Sequence, residues 1–133
     1  MTRLGELMTG AVVAVAPEDT LGEAAERMAA EGVGSSVVLD GGRLIGILTE
    51  RDLLGAVAGR VHTSEARVRE WMTGDPVTAS ESMSVDEAIR TMLERGFRHL
   101  PVVEDGRTVG IVSLRECMKA ELQLDVGAEG PRD

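Results

Sequence analysis

The chain reads as an α/β protein made of two pseudo-symmetric copies of one β-α-β-β-α unit, packed sheet to sheet. Two observations predict this. Residues 8–54 return as residues 72–118 without a gap, at a constant offset of 64, and 14 of the 47 aligned pairs are identical. Unrelated segments share far fewer, so the chain is a duplication. Within each copy, short β-branched runs alternate with apolar residues at helical spacing, the pattern of mixed α/β architecture.

The first copy opens with a short helix over 4–8 and a strand over 12–15 that Pro17 stops. Asp19 or Thr20 caps a helix over 21–31, with Leu21, Ala24, Ala25 and Met28 on one face and Gly32 just beyond its end. Two buried strands, 36–39 and 44–48, join through Asp40-Gly41-Gly42 as a tight hairpin. A second helix starts at Thr49 and runs to about Ala58. The second copy repeats the order: a short helix over 68–72, a strand over 77–79, a helix over 85–95 ending at Gly96, a hairpin across Glu104-Asp105-Gly106, and a helix from 114 to about 124. The expected organisation is therefore repeat 1 over 1–60, a hinge over 61–64, repeat 2 over 65–124, and a disordered tail over 125–133 that is rich in Gly, Pro and charge.

Composition restricts the function. The net charge of −9 leaves no basic stripe to displace counterions, so a nucleic-acid backbone is not the expected partner. No stretch approaches the roughly 18 apolar residues of a membrane span, and no targeting segment leads the chain. The single cysteine, Cys117, stands where the first copy has Leu53, which marks a small core residue rather than a reactive thiol. A reducing cytoplasm is the expected setting. Two His and one Cys form no constellation spaced for catalysis or for a metal, so neither an enzyme nor a metal site is expected. Met8, Met28, Met72 and Met92 fall in repeat-related pairs and read as core filler, His62 as a solvated hinge residue, and Trp71, in the place of Leu7, as packing for the short helices.

Two helix starts carry polar pairs, Thr49 with Asp52 and Ser113 with Glu116. Each fits two roles. A hydroxyl beside free backbone N–H groups at the positive end of a helix is a natural place for phosphate, and a carboxylate accepts from vicinal ribose hydroxyls. The same spacing is also a capping box, in which the acid satisfies backbone donors and nothing else binds. Glu suits that box better than the shorter Asp, so Thr49 and Asp52 lean towards a ligand.

The quoted pattern, Met-Thr-Gly, strand, Glu-Ala helix ending in Gly, apolar strand, then Gly-Ile-x-Thr/Ser-x-x-Asp/Glu, resembles the cystathionine β-synthase (CBS) repeat, and its doubling over about residues 4–124 resembles a Bateman module. The resemblance implies a non-catalytic regulatory module that binds AMP, ADP or ATP, or sometimes S-adenosylmethionine, in clefts between repeats, with no cofactor. It assigns Thr49 to the phosphates and Asp52 to the ribose of one site, with Val77, Thr78, Ala88, Arg98, His99 and Pro101 opposite. A second site would use Ser113 and Glu116, with Val13, Ala14, Ala24, Ser35 and Val37 opposite. That site departs from the pattern, because Glu116 replaces Asp and Ser35-Ser36-Val37 lacks the Arg-His-Leu-Pro arrangement of 98–101. A stand-alone sensor of adenine nucleotides is the leading reading. A structural dimerisation module with vestigial clefts, or a sensor of S-adenosylmethionine or NAD, is the alternative. Homodimerisation is expected through the second helix of each copy, which carries Leu53, Leu54 and Val57 in the first and Cys117, Met118, Leu122 and Leu124 in the second.

Overall fold

The structure, a computed structural model, describes residues 1–8 and 12–127, with side chains up to residue 123. Its elements are α1 (Leu4–Leu7), β1 (Ala14–Val15), α2 (Leu21–Glu31), β2 (Ser35–Asp40), β3 (Arg43–Thr49), α3 (Glu50–Ala58), α4 (Val68–Trp71), β4 (Thr73–Gly74), α5 (Val85–Arg95), β5 (His99–Glu104), β6 (Arg107–Ser113) and α6 (Leu114–Gly127). The mixed α/β order of the two copies is as the repeat implies. α6 runs into the region expected to be tail, and residues 128–133 lie outside the described residues.

Local chemistry sets the ends of these elements. Thr20, rather than Asp19, caps α2: its Oγ1 accepts from Glu23 N–H at 3.1 Å while its own N–H donates to Glu23 Oε1 at 2.8 Å. Ser84 Oγ accepts from Glu87 N–H at the start of α5. Gly32 and Gly96 end these helices with positive φ, where a side chain would be strained. Both hairpins turn through two residues of positive φ, Gly41-Gly42 and Asp105-Gly106, the geometry that matches strand twist. Asp40 then pairs with Arg43 and Glu104 with Arg107.

The compact units cut across the sequence copies. One unit is Ala11–Pro76, the other Met1–Gly10 with Val77–Asp133. Each takes its short helix from the other copy. In the first unit, α4 brings Val68 into a core of Val15, Leu21, Ala24, Met28, Val38, Leu48 and Ala56. In the second, α1 brings Leu4 among Ala79, Val85, Ala88, Met92, Leu100, Val102, Val112 and Cys117. The backbone bonds that hold these helices are themselves repeated. Leu4 and Gly5 N–H donate to the carbonyls of Met83 and Glu81, and Val68 and Arg69 N–H to those of Asp19 and Pro17. The segment expected to be a hinge is tied down in this way, since Gly22 N–H donates to Thr63 O at 2.9 Å and Val61 packs on the core.

The two sheets differ in how much of the first strand survives. In the unit Ala11–Pro76 the order is β1-β2-β3-β4, with β1 parallel to β2 and the remaining pairs antiparallel. The short β4 had no signal in the sequence. In the other unit β5 and β6 pair antiparallel, and the strand expected over 77–79 reduces to one parallel bridge between Ala79 and Val102. Only Ala79 finds both backbone partners there, donating to Pro101 O and accepting from Val103 N–H.

The glycine repeated in β3 and β6 has a packing cause. A Cβ on Gly46 would stand 2.6 Å from Met72 Sδ, and one on Gly110 2.6 Å from Met8 Cε. Each thioether lies on the bare backbone of a strand in the unit that its short helix completes.

Because Leu4 is fully enclosed, Leu4→Ala should destabilise the protein by about 2–5 kcal/mol in chemical denaturation. Hydrogen exchange should quicken in α5, β5 and β6 rather than in β2 and β3, although Leu4 belongs by sequence to the first copy.

Candidate functional site

β3 delivers Thr49 to the start of α3, and the helix turns Asp52 back towards it. Thr49 N–H donates to Asp52 Oδ2 at 2.9 Å, Thr49 Oγ1–H donates to the same oxygen at 3.1 Å, and Asp52 N–H donates to Thr49 Oγ1 at 3.3 Å. A closed capping box results. The expectation that the shorter Asp is less suited to this box, and so leans away from it, is therefore corrected: with Thr49 in the extended conformation that precedes a helix, one fewer methylene still spans the gap. Both bonds to the carboxylate end on Oδ2, which leaves Oδ1 outside the box. Asp52 is half-buried.

Ser113 and Glu116 form the same box at the start of α6, with Ser113 N–H donating to Glu116 Oε1 and Glu116 N–H donating to Ser113 Oγ, both at 3.0 Å. This pair is more open to solvent than the first.

Within each unit the sheet joins residues assigned to different sites. Ser35 lies opposite Thr49 in the β2–β3 ladder, and Val37, buried, opposite Ile47. Val13 O accepts from Val37 N–H, and Ala14 pairs with Val37. In the other unit His99 lies opposite Ser113 and Pro101 opposite Ile111, while Arg98 O accepts from Leu114 N–H. Ala24 and Ala88 have no exposed surface and sit in the two cores. Val77 is half-buried against its core, whereas Thr78 and Arg98 are exposed.

One residue near these positions carries no motif. Glu50, the first residue of α3, lays its carboxylate over Gly34: a Cβ on Gly34 would stand 2.5 Å from Glu50 Oε1. The only sequence signal for it is a difference between copies, Gly34 and Glu50 against Arg98 and Leu114.

Cys117 is enclosed in the core with Leu100 and Val112. Burial, reinforced by the nearby Glu116 carboxylate, pushes its thiol up to about 11. Among the described residues no group of three His, Cys, Asp or Glu side chains is placed to hold a metal, and no helix is long and apolar enough to cross a membrane.

A duplicated α/β unit with a hydroxyl and an acid boxed at the start of its last helix defines a class of paired repeats. The chain belongs to the CBS-domain family, whose domain matches residues 4–59 and again 68–123. It is 38% identical over 125 residues to an uncharacterised 17.7 kDa protein of Acidianus ambivalens, covering 92% of this chain and 75% of that one. It spans 63% of the length of a Methanopyrus kandleri relative that is 35% identical. Among solved structures, the CBS domain protein PAE2072 of Pyrobaculum aerophilum, complexed with AMP, superposes with a TM-score of 0.82 at 27% identity, covering 95% of this chain and 98% of that one. The CBS domain pair of protein MJ0100, in complex with 5′-methylthioadenosine and S-adenosyl-L-methionine, gives 0.83 at 25% identity, covering 93% and 98%.

The Cys117 thiol has a pH signature. Its pKa is raised from an ordinary 9.0, so the unfolded chain loses this proton first and the stabilising preference for the neutral thiol fades as pH rises from about 9 through 11. Stability by urea denaturation should fall across that window in the parent and more weakly in Cys117→Ala, and iodoacetamide at pH 8 should label Cys117 only under unfolding conditions.

Proposed function

We propose that this CBS pair is a non-catalytic regulatory module that senses adenine nucleotides, AMP, ADP or ATP. The observation that carries the reading is the Thr49–Asp52 pair: a helix start, a hydroxyl, and a half-buried carboxylate with one oxygen left outside its box. That oxygen is free to accept from ribose hydroxyls, and the box holds the carboxylate ready for them at little further entropic cost. The AMP complex of the similar Pyrobaculum aerophilum protein supports the choice of ligand. The family pattern assigns the rest of this site to Val77, Thr78, Ala88, Arg98, His99 and Pro101, and a second, weaker site to Ser113, Glu116, Val13, Ala14, Ala24, Ser35 and Val37. The proposal places the module in the cytoplasm, where its single cysteine needs no disulfide partner.

A second reading rests on the boxes themselves. Both acids already satisfy backbone donors, which fits a structural module whose clefts are vestigial. Ligand binding separates the two. AMP at 100 times its dissociation constant should add about 2.7 kcal/mol of stability. Asp52→Ala should weaken binding by about 1.5–3 kcal/mol for each charge-assisted bond lost, while Asp52→Asn, which can still accept from Thr49, should melt like the parent yet bind AMP less tightly. Calorimetry that finds the same AMP affinity in all three proteins removes Asp52 from the site.

We also propose that the protein forms a homodimer. Leu53 and Cys117, expected on the contact face, are drawn into their cores, but Leu54, Val57, Met118 and Leu122 remain exposed; the side chain of Leu124 lies outside those described. Such patches mark association surfaces. Light scattering should report a dimer for the parent and a folded monomer for Leu54→Glu with Met118→Glu; a monomeric parent at high micromolar concentration refutes the dimer.

A further inference from the structure

The outer faces of α3 and α6 hold equivalent places in the repeat but differ in shape and charge. On α3 the exposed stripe runs Arg51, Leu54, Gly55, Ala58, and on α6 it runs Arg115, Met118, Lys119, Leu122. Where α6 carries a long cation and a leucine, α3 carries a bare glycine and an alanine. The copies differ again beside the stripe. Trp71 lies along the glycine side of α3, with Cζ3 3.9 Å from where a Gly55 Cβ would be and Cη2 3.7 Å from where a Gly59 Cβ would be. In the other copy the same three positions hold Leu7, Lys119 and Gln123. Trp71 packs on its core yet is only half-buried, so part of the ring is open at the rim of the face.

Each face offers what the other lacks. Packing α6 on α6 puts two Arg115–Lys119 pairs on one seam with no aromatic ring to receive them. Packing α3 on α3 brings two shallow stripes together, and the gaps left over Gly55 and Ala58 forfeit contact on both sides. Packing α3 on α6 instead seats Met118 and Leu122 over Gly55 and Ala58. With the two helices antiparallel, the Arg115–Lys119 edge runs along the Trp71 edge, where a cation is attracted to the face of an indole. Arg51 then lies at the far end of the contact from Arg115, so the two cations at equivalent helix starts are kept apart.

We propose that the occupant of the α3 face is the α6 face of a second copy of this chain, packed antiparallel, with Lys119 of that copy over the Trp71 ring. This rests on the homodimer reading above and fixes which faces pair. A two-fold axis repeats the contact, so each dimer holds it twice and every contact joins unlike repeats. The differences between the copies thereby set the pairing: Gly55, Ala58 and Trp71 form the receiving side, and Met118, Lys119 and Leu122 the inserted one.

Sedimentation equilibrium of the full chain tests the pairing, because an exchange of charge separates like contacts from unlike ones. Leu54→Glu with Met118→Glu sets like charges together in every arrangement. Leu54→Glu with Met118→Lys sets opposite charges together only where α3 meets α6, so this variant should dimerise about tenfold or more tightly than the first. Lys119→Ala, a change at an exposed side chain, should weaken the parental dimer by about three- to tenfold, the order of one cation–π contact. If α6 met α6 instead, losing Lys119 would relieve repulsion and tighten the dimer. The emission of Trp71, the only tryptophan, should change as the parent is diluted through its dimer transition, and a parental circular dichroism spectrum in each variant excludes a folding defect. Equal weakness of the two double variants, a Lys119→Ala dimer as tight as the parent's or tighter, or constant Trp71 emission overturns this pairing and leaves the homodimer reading intact. A monomeric parent overturns both.

Discussion

Each unit depends on a short helix that its own stretch of repeat does not supply. A copy of about 47 residues buries too little apolar surface to stand alone. The four-residue α1 and α4 are too short to be stable as isolated helices, yet each has a fully enclosed leucine or valine at its first position. Backbone bonds on one side and a single apolar anchor on the other fix them. The same docking lays Met8 and Met72 on Gly110 and Gly46, so the glycine of each Gly-Ile pair is required by a side chain distant in sequence.

The helix starts show how a stabilising device and a binding device can share atoms. Thr20, Thr49, Ser84 and Ser113 each meet an acid three residues on, and the first two and the last close a reciprocal box. Only Thr49 and Ser113 stand at the end of a hairpin strand, where the last carbonyls and N–H groups of the ladder also converge. An acid in this position does not have to choose between roles, because two lone-pair-bearing oxygens serve one backbone donor with capacity to spare.

The sequence showed most of the local structure because that structure is locally caused. Thr20, Gly32, Gly96 and the two-residue turns at Gly41-Gly42 and Asp105-Gly106 carry their own signals, and the constant offset of 64 made the duplication plain. What it could not show depends on long-range partners. The exchange of α1 and α4, the docking of Thr63 on α2, and the collapse of the strand over 77–79 to a single bridge at Ala79 all turn on which distant backbone group is available. Leu53 was misplaced for a related reason, whereas Cys117 lies in the core as its reading as a small core residue expected: helical periodicity gives a stripe but not its width, and the side chains at its edge go to whichever core has room. At the candidate site the pattern named Thr49 and Asp52 but not Glu50, whose position follows from the missing side chain of Gly34.

The reciprocal borrowing of helices also bears on how such a chain could arise. A single copy that kept its own short helix would leave one core open and one helix undocked, and two such chains would complete each other by trading them. Joining the copies end to end turns that concentration-dependent trade into an internal one, with an effective concentration set by the connecting segment rather than by the amount of protein in solution. Once joined, the copies are released from identity. A residue needed in only one of them, such as the arginine at 98 or the glycine at 34, is free to differ, which two identical chains related by symmetry never permit.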